Sequence, residues 1–221
     1  MKNKYLILVQ NKEEINDLRE QNINYVLPLK SFSIGFPNDF SINEIQENSF
    51  ILANILFDNS KINEFKKLLH SLKIKGIIFT DVGLIEILKP YKFEKIFFAN
   101  HLMTNFESIN EMLKYVDTVF LSTDITNNEC EEILNLSSKK LTLYGLGLVN
   151  IMNSKRHLVS NYNKIHNLER KNVLNISNSN IELLLIENNE GTVIYKNNFL
   201  NNLTLGLNTN IKYIFINSIN I

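Results

Sequence analysis

The sequence predicts an α/β fold, a small (β/α) TIM-like barrel whose ring of strands can be incomplete. Three observations lead there. Short β-branched or aromatic runs alternate with amphipathic helical stretches. The strand–helix unit recurs about every 20 to 25 residues, the length a βαβ crossover needs. The strands read as near-continuous apolar runs, as strands of a parallel sheet covered by helices do. An open doubly wound sheet is the alternative, because 221 residues lie near the lower limit for a complete barrel.

The elements follow in order. Predicted strands are Tyr5–Val9, Tyr25–Leu29, Phe50–Phe57, Gly76–Thr80, Lys95–Ala99, Thr118–Ser122, Leu141–Gly145 and Ile211–Asn217. Between them lie predicted helices Lys12–Gln21, Ser41–Glu47, Lys61–Leu72, Leu84–Leu88, Asn105–Tyr115, Asn127–Leu136 and Ser154–Asn161. Thr126 followed by Glu129 is a capping box, and Pro90 closes the helix that begins near Val82. Leu183–Glu187 and Thr192–Lys196 flank Asn188-Asn189-Glu190-Gly191 and read as a β-hairpin inserted after the seventh strand, about residues 180–197. Nothing marks a linker, so residues 1–221 read as one domain.

Composition narrows the function classes. Twenty-three Lys+Arg balance 23 Asp+Glu, so the whole molecule has no long-range field for polyanions, and nucleic acid would have to meet a local patch. The single cysteine, Cys130, cannot form an intrachain disulfide framework or hold an iron–sulfur cluster in this chain alone, so no cofactor is expected on it. The apolar start, Tyr5–Val9, is too short for a membrane span and lacks a cleavage signal. The expectation is a cytoplasmic protein without a membrane partner.

Candidate chemistry sits after the strands, where barrels carry it. Those ends bring Gln10, Lys30, Asn54, Asp58, Thr80-Asp81, Asn100-His101, Thr123-Asp124 and Asn150. Asp81, His101 and Asp124 are the catalytic candidates, since converging carboxylates and an imidazole serve proton transfer or an open metal site. The other reading has Asp81 and Asp124 capping the helices that follow. No metal set can be named. Tyr144-Gly145-Leu146-Gly147-Leu148 lacks the third glycine of a dinucleotide site and reads as a tight turn or close backbone approach. Cys130, beside Glu129, Glu131 and Glu132, is a poor nucleophile because carboxylates raise a thiol's pKa. From Lys139 to Lys171 the only acid is Glu169 among seven Lys and Arg, which marks either an anion site or a solvated basic face. Tyr144 and Tyr162 flank that stretch and read as base-stacking or packing residues.

The segment Gly145 to Tyr162 resembles the signature of the collagenase-like peptidase family, peptidase family U-thirty-two. Met152, Ser154, Arg156, Leu158, Ser160, Asn161 and Tyr162 fall in register with it. Upstream, Ile77-Ile78-Phe79-Thr80-Asp81-Val82-Gly83, Thr104-Asn105 with Ser108, and Leu121-Ser122-Thr123-Asp124-Ile125 are similar to further family segments, and downstream Glu190-Gly191-Thr192 is similar to its hairpin. The resemblance implies a distorted β/α barrel and a family whose members were first described as peptidases. Other members are implicated in oxygen-independent hydroxylation of transfer-RNA uridine and of ubiquinone precursors, commonly with a four-cysteine iron–sulfur cluster and sometimes as heterodimers.

This chain departs from the pattern where the cluster would bind. His157 stands at the signature cysteine, the cysteine-rich segment is replaced by Asn163 to Ser179, Thr123-Asp124 replaces an arginine-glutamate pair, and Ile216-Asn217-Ser218 replaces glutamate-glycine-arginine. Three functions are carried forward. The first is a cysteine-poor member that assists transfer-RNA uridine hydroxylation as a heterodimer with a larger cysteine-bearing paralogue, holding transfer RNA or a small anionic ligand at Asn150, Met152, Ser154, Arg156, His157, Ser160, Asn161 and Tyr162. The second is a peptidase using Asp81, His101 and Asp124. The third is an interaction module that keeps the fold without catalysis.

Overall fold

The computed structural model describes residues 4–219 except 22, 48, 179 and 180. The elements in chain order are β1 (Tyr5–Leu8), α1 (Lys12–Glu20), β2 (Asn24–Pro28), β3 (Phe50–Ala53), α2 (Asn59–Leu69), β4 (Gly76–Phe79), α3 (Leu84–Leu88), β5 (Glu94–Phe97) and α4 (Phe106–Met112). Then come β6 (Thr118–Val119), α5 (Asn127–Leu136), β7 (Leu141–Ser154), α6 (Leu158–Ile165), β8 (Val173–Asn178), β9 (Ile181–Asn188), β10 (Gly191–Asn201) and β11 (Ile211–Asn217).

Among the described residues the strands form one sheet in the order β6-β5-β4-β3-β2-β1-β11-β7-β10-β9-β8. Its first eight members, from β6 through β1 and β11 to β7, run parallel, whereas β10, β9 and β8 continue antiparallel. The eight predicted parallel strands are therefore all present. The sheet curls, and its β6 edge comes back to β7. Phe120 and Thr142 form a parallel bridge, Leu121 N–H donates to the Thr142 carbonyl at 2.9 Å, and the Thr118 and Thr142 hydroxyls lie 3.1 Å apart. The result is a mixed α/β fold, a partial α/β barrel.

Apolar faces explain the curl. Leu6, Leu8, Ile51, Ile77, Phe79, Ile96 and Phe97 are buried, as strands covered on both faces require. Phe98 and Phe120, just beyond β5 and β6, meet Tyr144 of β7 and Phe215 of β11 ring against ring, with centroids 4.5 to 6.0 Å apart. Aromatic pairs at such spacings add stabilisation beyond the area they bury.

Four predicted boundaries are corrected. Ser41–Glu47 forms only a 3-10 turn, Ile42–Glu44: the Ser41–Glu44 capping box is present, but Ile45 is extended and the chain enters β3 within a few residues. β3 ends at Ala53 because Asn54 turns to bind the Ile34 backbone instead of extending the ladder. β7 runs to Ser154, nine residues past its predicted end, because β10 pairs with its far half. The helix expected over Ser154–Asn161 accordingly starts at Leu158. The predicted hairpin is β9–β10, joined at Asn188–Gly191; residue 180 of its expected span lies outside the described residues. β8, within the segment expected to replace the cysteine-rich region, adds a further strand; Ser179 is outside the described residues.

Candidate functional site

The extension of β7 lifts a small antiparallel sheet over the C-terminal ends of the parallel strands. The segment after β2 folds against it: Tyr195 Oη donates to the Gly35 carbonyl at 2.8 Å, and Asn188 Nδ2 to the Ser33 carbonyl at 2.9 Å. Gly35 has φ +84°, and a Cβ there would lie 2.3 Å from Val193 Cγ2, so glycine is what permits the close approach. Between these walls lies a cavity in two connected parts.

The inner part is narrow, about 40 Å³, with Leu8, Phe98, Phe120, Tyr144 and Phe215 among its walls and Asn54, Thr80, Asn150, Asn153 and Asn217 among its polar lining. No Lys, Arg, His, Asp or Glu lines it. Burial pushes the hydroxyls of Tyr144 and Tyr195 far above the ordinary tyrosine range, so both stay neutral. Asn217 Nδ2 donates to Tyr144 Oη at 3.0 Å and to the Leu148 carbonyl at 2.8 Å, fixing the base of the pocket. The outer part, about 440 Å³, shares Thr80, Phe98, Asn150 and Asn153 with the inner one and adds Ala99, His101, Leu102, Ile151 and Met152. Ligands of curled parallel sheets bind at this end, beyond the carboxyl ends of the strands.

The structure brings His101 and Asp124 together and leaves Asp81 apart from them. His101 Nδ1 lies 2.8 Å from Asp124 Oδ2 at the rim of the outer cavity, with the imidazole side chain 73% exposed. Asp124 is placed by its own N–H, which donates to Ser122 Oγ at 3.0 Å. Asp81 Oδ1 accepts from Gly83 N–H at 2.7 Å, the local turn bond expected of a residue that opens a helix.

Of the signature residues, Asn150 and Met152 line the cavity, and the others build the start of α6. His157 gives α6 no side-chain cap. Glu187 on β9, only 5% exposed, supplies it from the neighbouring sheet: its carboxylate accepts from Val159 N–H at 2.9 Å, Ser160 N–H at 3.2 Å and the Ser160 hydroxyl. Thr192 Oγ1 accepts from Leu158 N–H at 3.0 Å. Burial raises the carboxyl's pKa, but the hydrogen bonds from Ser160, Thr192 and Val159 outweigh it and hold Glu187 below the ordinary carboxylate range. His157 Nδ1 lies 3.6 Å from Glu187 Oε1. Ser154 Oγ accepts from Arg156 N–H at 3.1 Å, Asn161 is exposed, and the Tyr162 ring lies 4.4 Å from that of His166. In the basic stretch Lys155 pairs with Asp58 at 2.8 Å and Lys139 donates to the Leu113 carbonyl, while Arg156, Lys164, Arg170 and Lys171 are exposed.

This chain does not supply the ligands of the cluster that the resemblance implies. Cys130 is buried in α5, His157 faces Glu187, and among the described residues no three His, Cys, Asp or Glu side chains converge on a metal position. Burial, and then Glu129 and Glu131, push the Cys130 thiol up to about 11, so burial outweighs the neighbouring carboxylates. Also among the described residues, no helix is long and apolar enough to cross a membrane.

Sequence reasoning missed Asn153, Asn217 and Tyr195. Asn217 closes a strand whose family counterpart carries charge, and Tyr195 sits in the hairpin; no spacing rule ties either to β7. Gly147 shows the close approach expected of the Gly-x-Gly pair, with φ +124° and a would-be Cβ 2.3 Å from the Asn217 carbonyl oxygen.

Residues 41–212 match the family model described as Peptidase family U32. No curated protein and no solved structure matches the chain.

Proposed function

The chain belongs to peptidase family U32, and from that premise we propose that it assists transfer-RNA uridine hydroxylation in a heterodimer with a larger, cysteine-bearing relative. The observation that carries this reading is the inner cavity, which no Lys, Arg, His, Asp or Glu lines and which opens into an outer part with His101 at its rim. A pocket walled by aromatic rings and floored by amides suits a neutral base turned out of a nucleic-acid strand and disfavours a carboxylate substrate, whose desolvation it would leave uncompensated. The exposed Arg156, Lys164, Arg170 and Lys171 meet the backbone phosphates. The cluster chemistry belongs to the partner, since this chain does not offer the thiolates. The reading includes a closed TIM-like barrel, supported by the Phe120–Thr142 bridge, and a cytoplasmic location.

Transfer-RNA binding by the purified chain across a salt series tests the proposal. Arg156→Ala weakens binding and lowers the slope of log K against log salt by about one, with the melting temperature unchanged. Equal binding by the variant removes Arg156 and the turn before α6 from the RNA contact.

The His101–Asp124 contact favours a second reading, a peptidase in which Asp124 orients the imidazole and His101 Nε2 takes a proton from water. Cleavage of an unstructured peptide that His101→Ala abolishes supports it; persistence of cleavage in that variant eliminates the histidine.

A further inference from the structure

β7 carries a β-bulge at the cavity. Met152 pairs with Ile194 and Asn150 with Tyr195, which leaves Ile151 as an extra residue with no partner on β10. In a regular strand residues three apart face opposite sides. The extra residue restores Asn150 and Asn153 to one face, and both line the inner and the outer cavity. Bulges that re-aim side chains in this way recur beside functional sites.

Asn150 Nδ2 donates to Asn153 Oδ1 at 3.2 Å. That bond uses one donor and one acceptor and leaves Asn150 Oδ1 and Asn153 Nδ2 without a protein partner among the described residues. Exchanging the oxygen and nitrogen of both amides reverses the bond but leaves the same remainder, one acceptor beside one donor. Thr80, on the opposite wall, adds a hydroxyl that makes no hydrogen bond among the described residues.

We propose that the Asn150–Asn153 pair is the specificity-determining element of this cavity and reads the edge of a neutral cis amide, the adjacent N–H and C=O of a lactam, an imide or a primary amide. Such an edge answers the free acceptor and donor together, while Phe98 lines both parts of the cavity and adds apolar surface for the ligand. A trans peptide group cannot do so, because its N–H and C=O point in opposite directions. The pair therefore selects against a peptide backbone. The assignment rests on the cavity being the ligand site of the proposed function, and is independent of the modification chemistry.

The test is titration of the full chain with uridine, 3-methyluridine, benzamide and N-methylacetamide, followed by ligand-observed NMR. Uridine and benzamide bind. 3-Methyluridine, which has lost the N–H, binds about tenfold more weakly, as does N-methylacetamide, since an unmade bond leaves a desolvated partner. Asn153→Leu lowers uridine affinity by about tenfold and erases the difference between uridine and 3-methyluridine. Equal affinity for the two nucleosides in the wild-type chain, a measurement that needs no variant to fold, overturns the proposal. So does the absence of binding by all four probes. An unchanged transfer-RNA nucleoside profile in a deletion strain, with edge discrimination intact, sinks the hydroxylation reading and leaves this one standing.

Discussion

Glu187 is the residue on which the most local structure depends. It stands on β9, yet it satisfies the first amides of α6, a task usually given to the residue just before a helix. Glu187→Gln keeps the shape, removes the charge and leaves donors facing an amide; a loss of about 1–3 kcal/mol is expected in urea unfolding at pH 7. The pH dependence has a definite sign. Because the folded pKa is lowered, the carboxylate's contribution is complete above the unfolded glutamate value, about 4.3, and fades as pH falls through the lower folded value. Unfolding measured from pH 7 down to pH 3 shows a steeper loss for the wild-type chain than for Glu187→Gln; parallel curves contradict the assignment. Cys130 gives a simpler residue-scale result. Buried, with its thiol held up to about 11, it stays unreactive toward a disulfide reagent at pH 8 in the native protein and reacts on unfolding. Prompt native-state labelling contradicts that placement. The poor reactivity was legible in the sequence from the flanking glutamates; the larger cause, burial, needed the helix packing.

At the scale of elements, the legible parts were those in which local pattern and tertiary demand agree. The eight parallel strands are apolar runs that the sheet buries on both faces, and the Thr126 capping box opens α5 where its sequence says it should. β7 shows the limit. Its first five residues read as a strand on composition, but its far half, beyond Leu146, pairs only because β10 returns to it, and such long-range pairing leaves no local trace. The bulge at Ile151 is hidden for the same reason, so a three-residue spacing gives no hint that Asn150 and Asn153 share a face. β8, Val-Leu-Asn-Ile-Ser-Asn, is half polar because it lies at the sheet edge, and it escaped notice as a strand. Gly147 is where β7 passes the end of β11: the chain needs φ +124° there and the Asn217 carbonyl leaves no space for a Cβ. Gly147→Ala is expected to cost about 1–3 kcal/mol from the backbone alone, with further loss from the steric clash. Thermal melting measures it, and an unchanged midpoint means that the close approach of β7 to the end of β11 is not built this way.

The whole molecule is a sheet whose two halves do different work. The parallel strands curl into a scaffold, and the antiparallel extension roofs their C-terminal ends to make the cavity. β11, the last strand in sequence, lies between β1 and β7 and so links the first six parallel strands to β7, the strand that the two halves share. Removing Ile211–Asn217 takes away a buried strand paired on both sides, and the truncated chain is expected to lose its cooperative thermal transition. A truncated chain that still melts cooperatively favours an open sheet over a closed barrel. The proposed chemistry is also a whole-molecule matter, because it asks this chain for a pocket with an uncharged inner part and for exposed basic residues on either side of α6, and asks a proposed partner for the thiolates. The most direct measurement is mass spectrometry of transfer-RNA nucleosides from a strain lacking the gene. The account predicts loss of 5-hydroxyuridine and its derivatives, restored by the wild-type chain but not by Arg156→Ala; an unchanged nucleoside profile would contradict it.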